Sequence, residues 1–134
     1  MEKARQPAAM IKYGAIGLLA FAGGAMAQPV PDLPSGLVVQ LYDLRQIVED
    51  GEPSLLYLGF LADDLSSVEY ETASVDLDYL CENFALAEVA QSGQETDEVS
   101  IRIMDQPIAY GDADPDVKQF MSFYDITTGQ CTWH

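Results

Sequence analysis

The chain has 134 residues, with 22 acidic side chains against 6 lysines and arginines and a formal charge of -16. That length holds one domain and leaves no room for a cofactor domain beside a substrate domain. The acidic balance excludes the basic footprint that a nucleic-acid backbone requires, and a single histidine, His134 at the C-terminus, removes most triad and zinc-site arrangements.

The first 27 residues read as a signal peptide. Lys3, Arg5 and Lys12 form a basic opening, Tyr13 to Ala22 is an apolar run, and Ala25-Met26-Ala27 is a small-x-small cleavage pattern. The apolar run is shorter than the ~20 residues needed to span hydrocarbon, so no stable membrane anchor is expected after cleavage. The expected mature chain begins at Gln28. It keeps three basic residues, Arg45, Arg102 and Lys118, against 21 acidic ones, a formal charge of -18. Such a surface repels itself and anionic lipid, which favours a soluble monomer in the periplasm or medium.

Residues 28–36 contain three prolines and a glycine without periodicity and read as a flexible leader to a single domain over 37–134. Leu37 to Val48 is rich in β-branched and large apolar residues, a strand. Asp50-Gly51 suits a tight hairpin, and Ser54 to Ala62, apolar on both faces, is the returning central strand. Val68 to Glu71 alternates and reads as a short edge segment. From Ser74 to Gln91, Val75, Tyr79, Leu80, Phe84 and Ala87 recur at helical spacing and define one long helix, with Asp76 and Asp78 in its first turn and Ser92-Gly93 as its stop. Val99, Ile101 and Ile103 alternate with Ser100 and Arg102, a half-buried strand with Arg102 pairing with acids on its polar face. Pro115 after Asp114 opens a turn of helix that gives way to a strand near Phe120, and Thr127-Thr128-Gly129 turns into a last strand, Gln130 to Trp133. The fold class is α+β, an antiparallel sheet of about five strands with one long helix packed on it.

Cys81 on the helix and Cys131 on the last strand form an even pair in an exported protein, which reads as a disulfide, and with no Cys-x-x-Cys a redox role is disfavoured. Asp112, Asp114 and Asp116 open like a calcium loop, but Val117 and Phe123 stand where an EF-hand needs glycine and glutamate, so a solvated loop competes with an irregular metal site. Tyr110, Phe120, Phe123, Tyr124 and Trp133 crowd the last quarter and are either core or a partner-binding face. His134 is expected to be a solvated end. No catalytic residues stand out, there being no Gly-x-Ser-x-Gly, no phosphate loop and no His-Glu-x-x-His, and no cofactor is called for.

Asp76 to Cys81 (Asp-Leu-Asp-Tyr-Leu-Cys), Val99 to Asp105 (Val-Ser-Ile-Arg-Ile-Met-Asp), Tyr110-Gly111, Gln119-Phe120 and the Cys-x-Trp ending at Cys131 to Trp133 together resemble a family of unknown function, small exported alphaproteobacterial proteins with two cysteines. The resemblance implies an exported two-cysteine domain and adds no activity. The expectation is a non-enzymatic binding or accessory protein of the cell envelope, with an envelope protein as partner. The alternatives are a divalent-cation-binding module and a small envelope hydrolase.

Overall fold

The computed structural model describes residues 28–134, so the signal peptide expected over 1–27 lies outside the described residues. Five strands form one sheet in chain order: β1 (Val39–Ile47), β2 (Leu55–Ala62), β3 (Glu98–Met104), β4 (Gln119–Asp125) and β5 (Thr132–Trp133). Between β2 and β3 runs helix α1. It starts as Tyr70–Leu80, widens through a π turn at Cys81–Ala85 and continues over Leu86–Ser92, where Gly93 (φ 69°) ends it in the left-handed conformation. Positive φ costs glycine nothing, so Ser92-Gly93 stops the helix where the sequence places the stop.

The sheet is mostly antiparallel, with one correction. β2 and β3 run parallel, with Tyr57 level with Ser100 and Gly59 level with Arg102. A helix between two neighbouring strands returns the chain to the end it left, and the next strand then runs in the same direction. The tight connections, β1 to β2 and β4 to β5, are the antiparallel ones, and the β3–β4 pair is antiparallel as well.

One face of the sheet carries the main core. Leu56, Leu58, Phe60, Val99, Ile101, Ile103 and Tyr124 meet Leu77, Leu80, Phe84 and Ala85 of α1, with the Phe60 and Phe84 rings edge to face at 5.6 Å. The helix begins four residues earlier than its spacing suggests, so Val68 to Glu71 is its approach and first residues and not an edge strand, and Asp76 and Asp78 lie beyond its first turn. Its buried face is also rotated. Leu80 and Phe84 point inward as expected, whereas Val75 (54% exposed) and Tyr79 face solvent, and Ala73, Asp76 and Leu77 take the inner positions. The expected phase fails because the centre of the buried face is a carboxylate, and the π turn then shifts the register of everything after Cys81.

Asp76 is buried because the leader satisfies it. Ser35 gives Asp76 both its backbone N–H (3.1 Å) and its hydroxyl, Leu33 inserts into the core, and the Gln28 side-chain amide donates to the Phe84 carbonyl at 2.6 Å in the π turn. Residues 28–36 are therefore a strap across α1, where the proline content suggests an unattached leader.

β3 is buried on both faces, which corrects the half-buried reading. The segment 105–118 folds back over the sheet face opposite the helix, with Ile108 buried and its N–H directed to the Met104 sulfur at 3.3 Å. No turn of helix forms after Pro115. Asp114 accepts the Asp116 N–H on its side chain and the Val117 N–H on its carbonyl, and one turn leads directly into β4.

Candidate functional site

Two concave features share the residues of β4. The first lies under the 105–118 segment, on the sheet face away from α1. Across the ladders Tyr57, Ser100 and Phe123 form one row, and Gly59, Arg102 and Met121 the next. Tyr110 closes over this face, its ring 4.8 Å from that of Tyr57 at an interplanar angle of 60°. Together they line a half-open pocket of about 230 Å³, with Arg102 and Asp112 also among its lining residues. Arg102 is 7% exposed, and the sequence reading of a surface arginine paired with acids is corrected here. Its Nη2 reaches only the Asp112 backbone carbonyl at 3.4 Å, and its Nε and Nη1, like the Tyr57 hydroxyl, have no hydrogen-bond partner among the described residues. Burial pushes the Tyr57 hydroxyl up from its ordinary pKa, against the opposing pull of the Arg102 charge, so the phenol stays neutral.

The second feature is an open cleft of about 450 Å³ at the sheet edge, lined by Tyr70, Glu98, Met121, Phe123, Trp133 and His134. Phe123 (52% exposed) and Trp133 (56% exposed) present their rings here. Trp133 is held by its indole N–H, which donates to Asp78 at 2.7 Å, and the same carboxylate oxygen accepts the Tyr124 hydroxyl at 2.7 Å. His134 is exposed, as expected of a solvated end, and is also paired. Its Nε2 lies 2.8 Å from a Glu98 carboxylate oxygen.

The five aromatic residues of the last quarter thus divide. Tyr110, Phe123 and Trp133 are exposed, Phe120 is half-buried with the Lys118 ammonium 5.7 Å from its ring centroid, and Tyr124 (1% exposed) belongs to the core. Alternation explains the split: Phe120 and Tyr124 share the helix side of β4, and Phe123 takes the other. Cys81 and Cys131 are bonded, tying α1 to the approach of β5. Asp112, Asp114 and Asp116 are not brought together, and no group of three or more metal-ligating side chains occurs among the described residues. Asp64 and Asp125 are held below the usual carboxylate range, because Ser66 and Thr127 donate hydrogen bonds to them.

Sequence reasoning missed Arg102, Tyr57 and Asp76 as site or core residues. The available signal was composition: one of only three basic residues after residue 27 sits in the middle of the most regular strand pattern in the chain.

No curated protein and no solved structure matches the chain. A model for a family of unknown function (DUF6497) matches residues 16–134, which include, among the described residues, every strand, the helix, the disulfide and both concave features, and the chain belongs to that family.

Proposed function

We propose that this is an exported, non-enzymatic binding protein of the cell envelope, which engages a partner protein by strand addition at the outer edge of β4. One observation carries the reading. β5 covers only Tyr124 and Asp125, with one further bond from the His134 N–H to the Phe123 carbonyl, so the edge from Gln119 to Ser122 has no strand beside it among the described residues. Backbone groups alternate in direction along a strand. Since the Phe123 carbonyl points outward, so do the N–H and C=O of Met121, beside the exposed rings of Phe123 and Trp133. An extended segment would take its hydrogen bonds from the edge and its side-chain contacts from the aromatic cleft.

The disulfide suits an oxidising compartment, periplasmic or extracellular, and no helix among the described residues is long and apolar enough to cross a membrane. The formal charge of -18 after residue 27 disfavours self-association and favours a partner with basic flanks.

The test is a photo-crosslinking residue at Phe123 in cells that make the protein, with the same residue at Val48 as a control. A discrete envelope-protein adduct from position 123, absent from position 48 and lost on Met121→Pro, is expected. Proline is tolerated on an edge but removes the outward donor. No adduct at 123, or one that survives Met121→Pro, overturns strand addition.

A further inference from the structure

The open cleft at the β4 edge has two walls, set by alternation along the sheet. Residues level with each other on neighbouring strands share a face, so Trp133, level with Tyr124, stands on the helix side with Ser122, and Phe123 stands on the other. Tyr70, the first residue of α1, joins the helix-side wall. Its ring and that of Trp133 are each 56% exposed, and two rings left half in water offer their faces to a guest.

The charge of that guest follows from Asp78. Its hydrogen bonds come from the Trp133 N–H and the Tyr124 hydroxyl, both neutral donors on one oxygen, and no lysine, arginine or histidine pairs with it among the described residues. Neutral donors satisfy the oxygen but leave the negative charge uncompensated, and a half-buried carboxylate is screened less than a solvated one. The bond to the carboxylate also polarises the indole toward greater electron density, which makes its face a better seat for a cation.

No cation of the chain after residue 27 takes that seat. Arg45 pairs with Asp43, Arg102 is buried, and Lys118 donates to the Ser66 carbonyl. Lys118 instead sits 5.7 Å from the centroid of Phe120, two places from Ser122 on the same face of β4, so one cation–aromatic contact already stands next to the cleft.

The edge decides where the guest is carried. The His134 N–H bonds to the Phe123 carbonyl, so the first level of β4 without a neighbour is Ser122. A residue added there turns its side chain to the helix side, toward Trp133 and Tyr70. An acidic residue would be repelled by a body of formal charge -18. Lysine carries a compact, strongly hydrated ammonium, whereas the guanidinium of arginine is planar, weakly hydrated and stacks on aromatic faces. Resting on the strand-addition reading, we propose that the added segment carries an arginine level with Ser122, its guanidinium on the faces of Trp133 and Tyr70 beside the Asp78 charge.

The experiment uses the disulfide-bonded protein and the fluorescence of Trp133, the only tryptophan of the chain. The probes, at matched ionic strength, are Nα-acetyl-argininamide, its uncharged analogue Nα-acetyl-citrullinamide, Nα-acetyl-lysinamide and tetramethylammonium. Acetyl-argininamide is expected to change the emission saturably in the millimolar range and to bind more tightly than the other cations, with no saturable change from the citrulline compound. Tyr70→Leu should weaken acetyl-argininamide about threefold, the worth of one exposed cation–aromatic contact, and Tyr70→Phe should restore it. The envelope segment captured through Phe123 should contain an arginine beside the crosslinked residue. The proposal is overturned by citrullinamide binding as well as argininamide, by no saturable change with argininamide, by tighter binding of the lysine compound or of tetramethylammonium, by undiminished binding in Tyr70→Leu, or by a captured segment without arginine. The two readings fail separately. Argininamide bound as expected with no adduct at position 123 removes strand addition and leaves the arginine seat. An adduct lost on Met121→Pro, with no preference for arginine over citrulline, removes the arginine and leaves strand addition.

Discussion

Ser35 and Asp76 lie 41 positions apart in the chain and are joined by two hydrogen bonds, from the Ser35 N–H and hydroxyl to the two oxygens of one buried carboxylate. The pair fastens the N-terminal strap to the inner face of α1. Asp76→Ala removes the acceptor for both donors and should lower stability by about 1–3 kcal/mol in urea unfolding. Ser35→Ala keeps the backbone donor and should cost less, and a double-mutant cycle should show the two changes to be non-additive. Equal stability of the Ser35→Ala, Asp76→Ala and parent proteins would mean that the strap is not held there.

The Tyr124 hydroxyl is pushed upward from its ordinary pKa, first by burial and then by its hydrogen bond to Asp78, and Tyr57 is pushed upward chiefly by burial. The sign follows from linkage. Above about pH 10 the unfolded chain releases these protons and the folded chain retains them, so the stability they confer is complete below that pH and declines as pH rises beyond it. Tyr124→Phe should reduce the alkaline slope of stability by up to about 1.4 kcal/mol per pH unit between pH 10 and 11. At neutral pH it should cost about 1.5–3 kcal/mol for the lost bond to a carboxylate. Urea midpoints at pH 8 and pH 11 check both, and an unchanged alkaline slope would remove Tyr124 from the account.

Much of this architecture is legible in the sequence, because it rests on local rules. The strands, the helix stop at Gly93, the Asp50-Gly51 turn and the cysteine pair follow from periodicity, from glycine and from the even cysteine count. What is not legible depends on partners far along the chain. The phase of α1 is set by Asp76, whose burial makes sense only with Ser35 in place. β3 reads as half-buried because Arg102 and Ser100 alternate with isoleucine and valine, and the 105–118 segment that covers them carries no hydrophobic period. The same long-range closure hides the pocket: a buried arginine without an acid is invisible until the strand order places Tyr57 and Gly59 beside it.

The Cys81–Cys131 bond joins the first residue of the π turn to the approach of β5, across a sequence separation of 50. Closing a loop of that length restricts the unfolded chain by roughly 4 kcal/mol in the chain-entropy account. The Cys81→Ser/Cys131→Ser double variant should therefore lose about 2–5 kcal/mol. It should also loosen β5, whose remaining ties are a short ladder, the Glu82 carboxylate on the Cys131 N–H at 3.1 Å and the Trp133 bond to Asp78. Hydrogen exchange localised to 130–134 would show the loosening, and full protection there in the double variant would contradict it.

Gly59 faces Arg102 across the parallel ladder, and its missing side chain is what gives Tyr57 its place. A Cβ at position 59 would stand 2.9 Å from the Tyr57 hydroxyl oxygen and 3.3 Å from the Met104 terminal methyl. Gly59 does not have a positive φ, so backbone strain does not enter and the effect of a methyl group is steric. The methionine end can move aside, but the Tyr57 ring is buried and packed against Tyr110. Gly59→Ala should therefore cost about 1–3 kcal/mol as an overpacked site. Because the closest atom is the hydroxyl oxygen, Tyr57→Phe in the same chain should recover most of that loss. The phenol has no hydrogen-bond partner to forfeit among the described residues, so Tyr57→Phe alone should be nearly neutral. Urea unfolding of the four proteins completes the cycle. A neutral Gly59→Ala, or losses that simply add in the double variant, would show that the tyrosine does not occupy the space this glycine leaves.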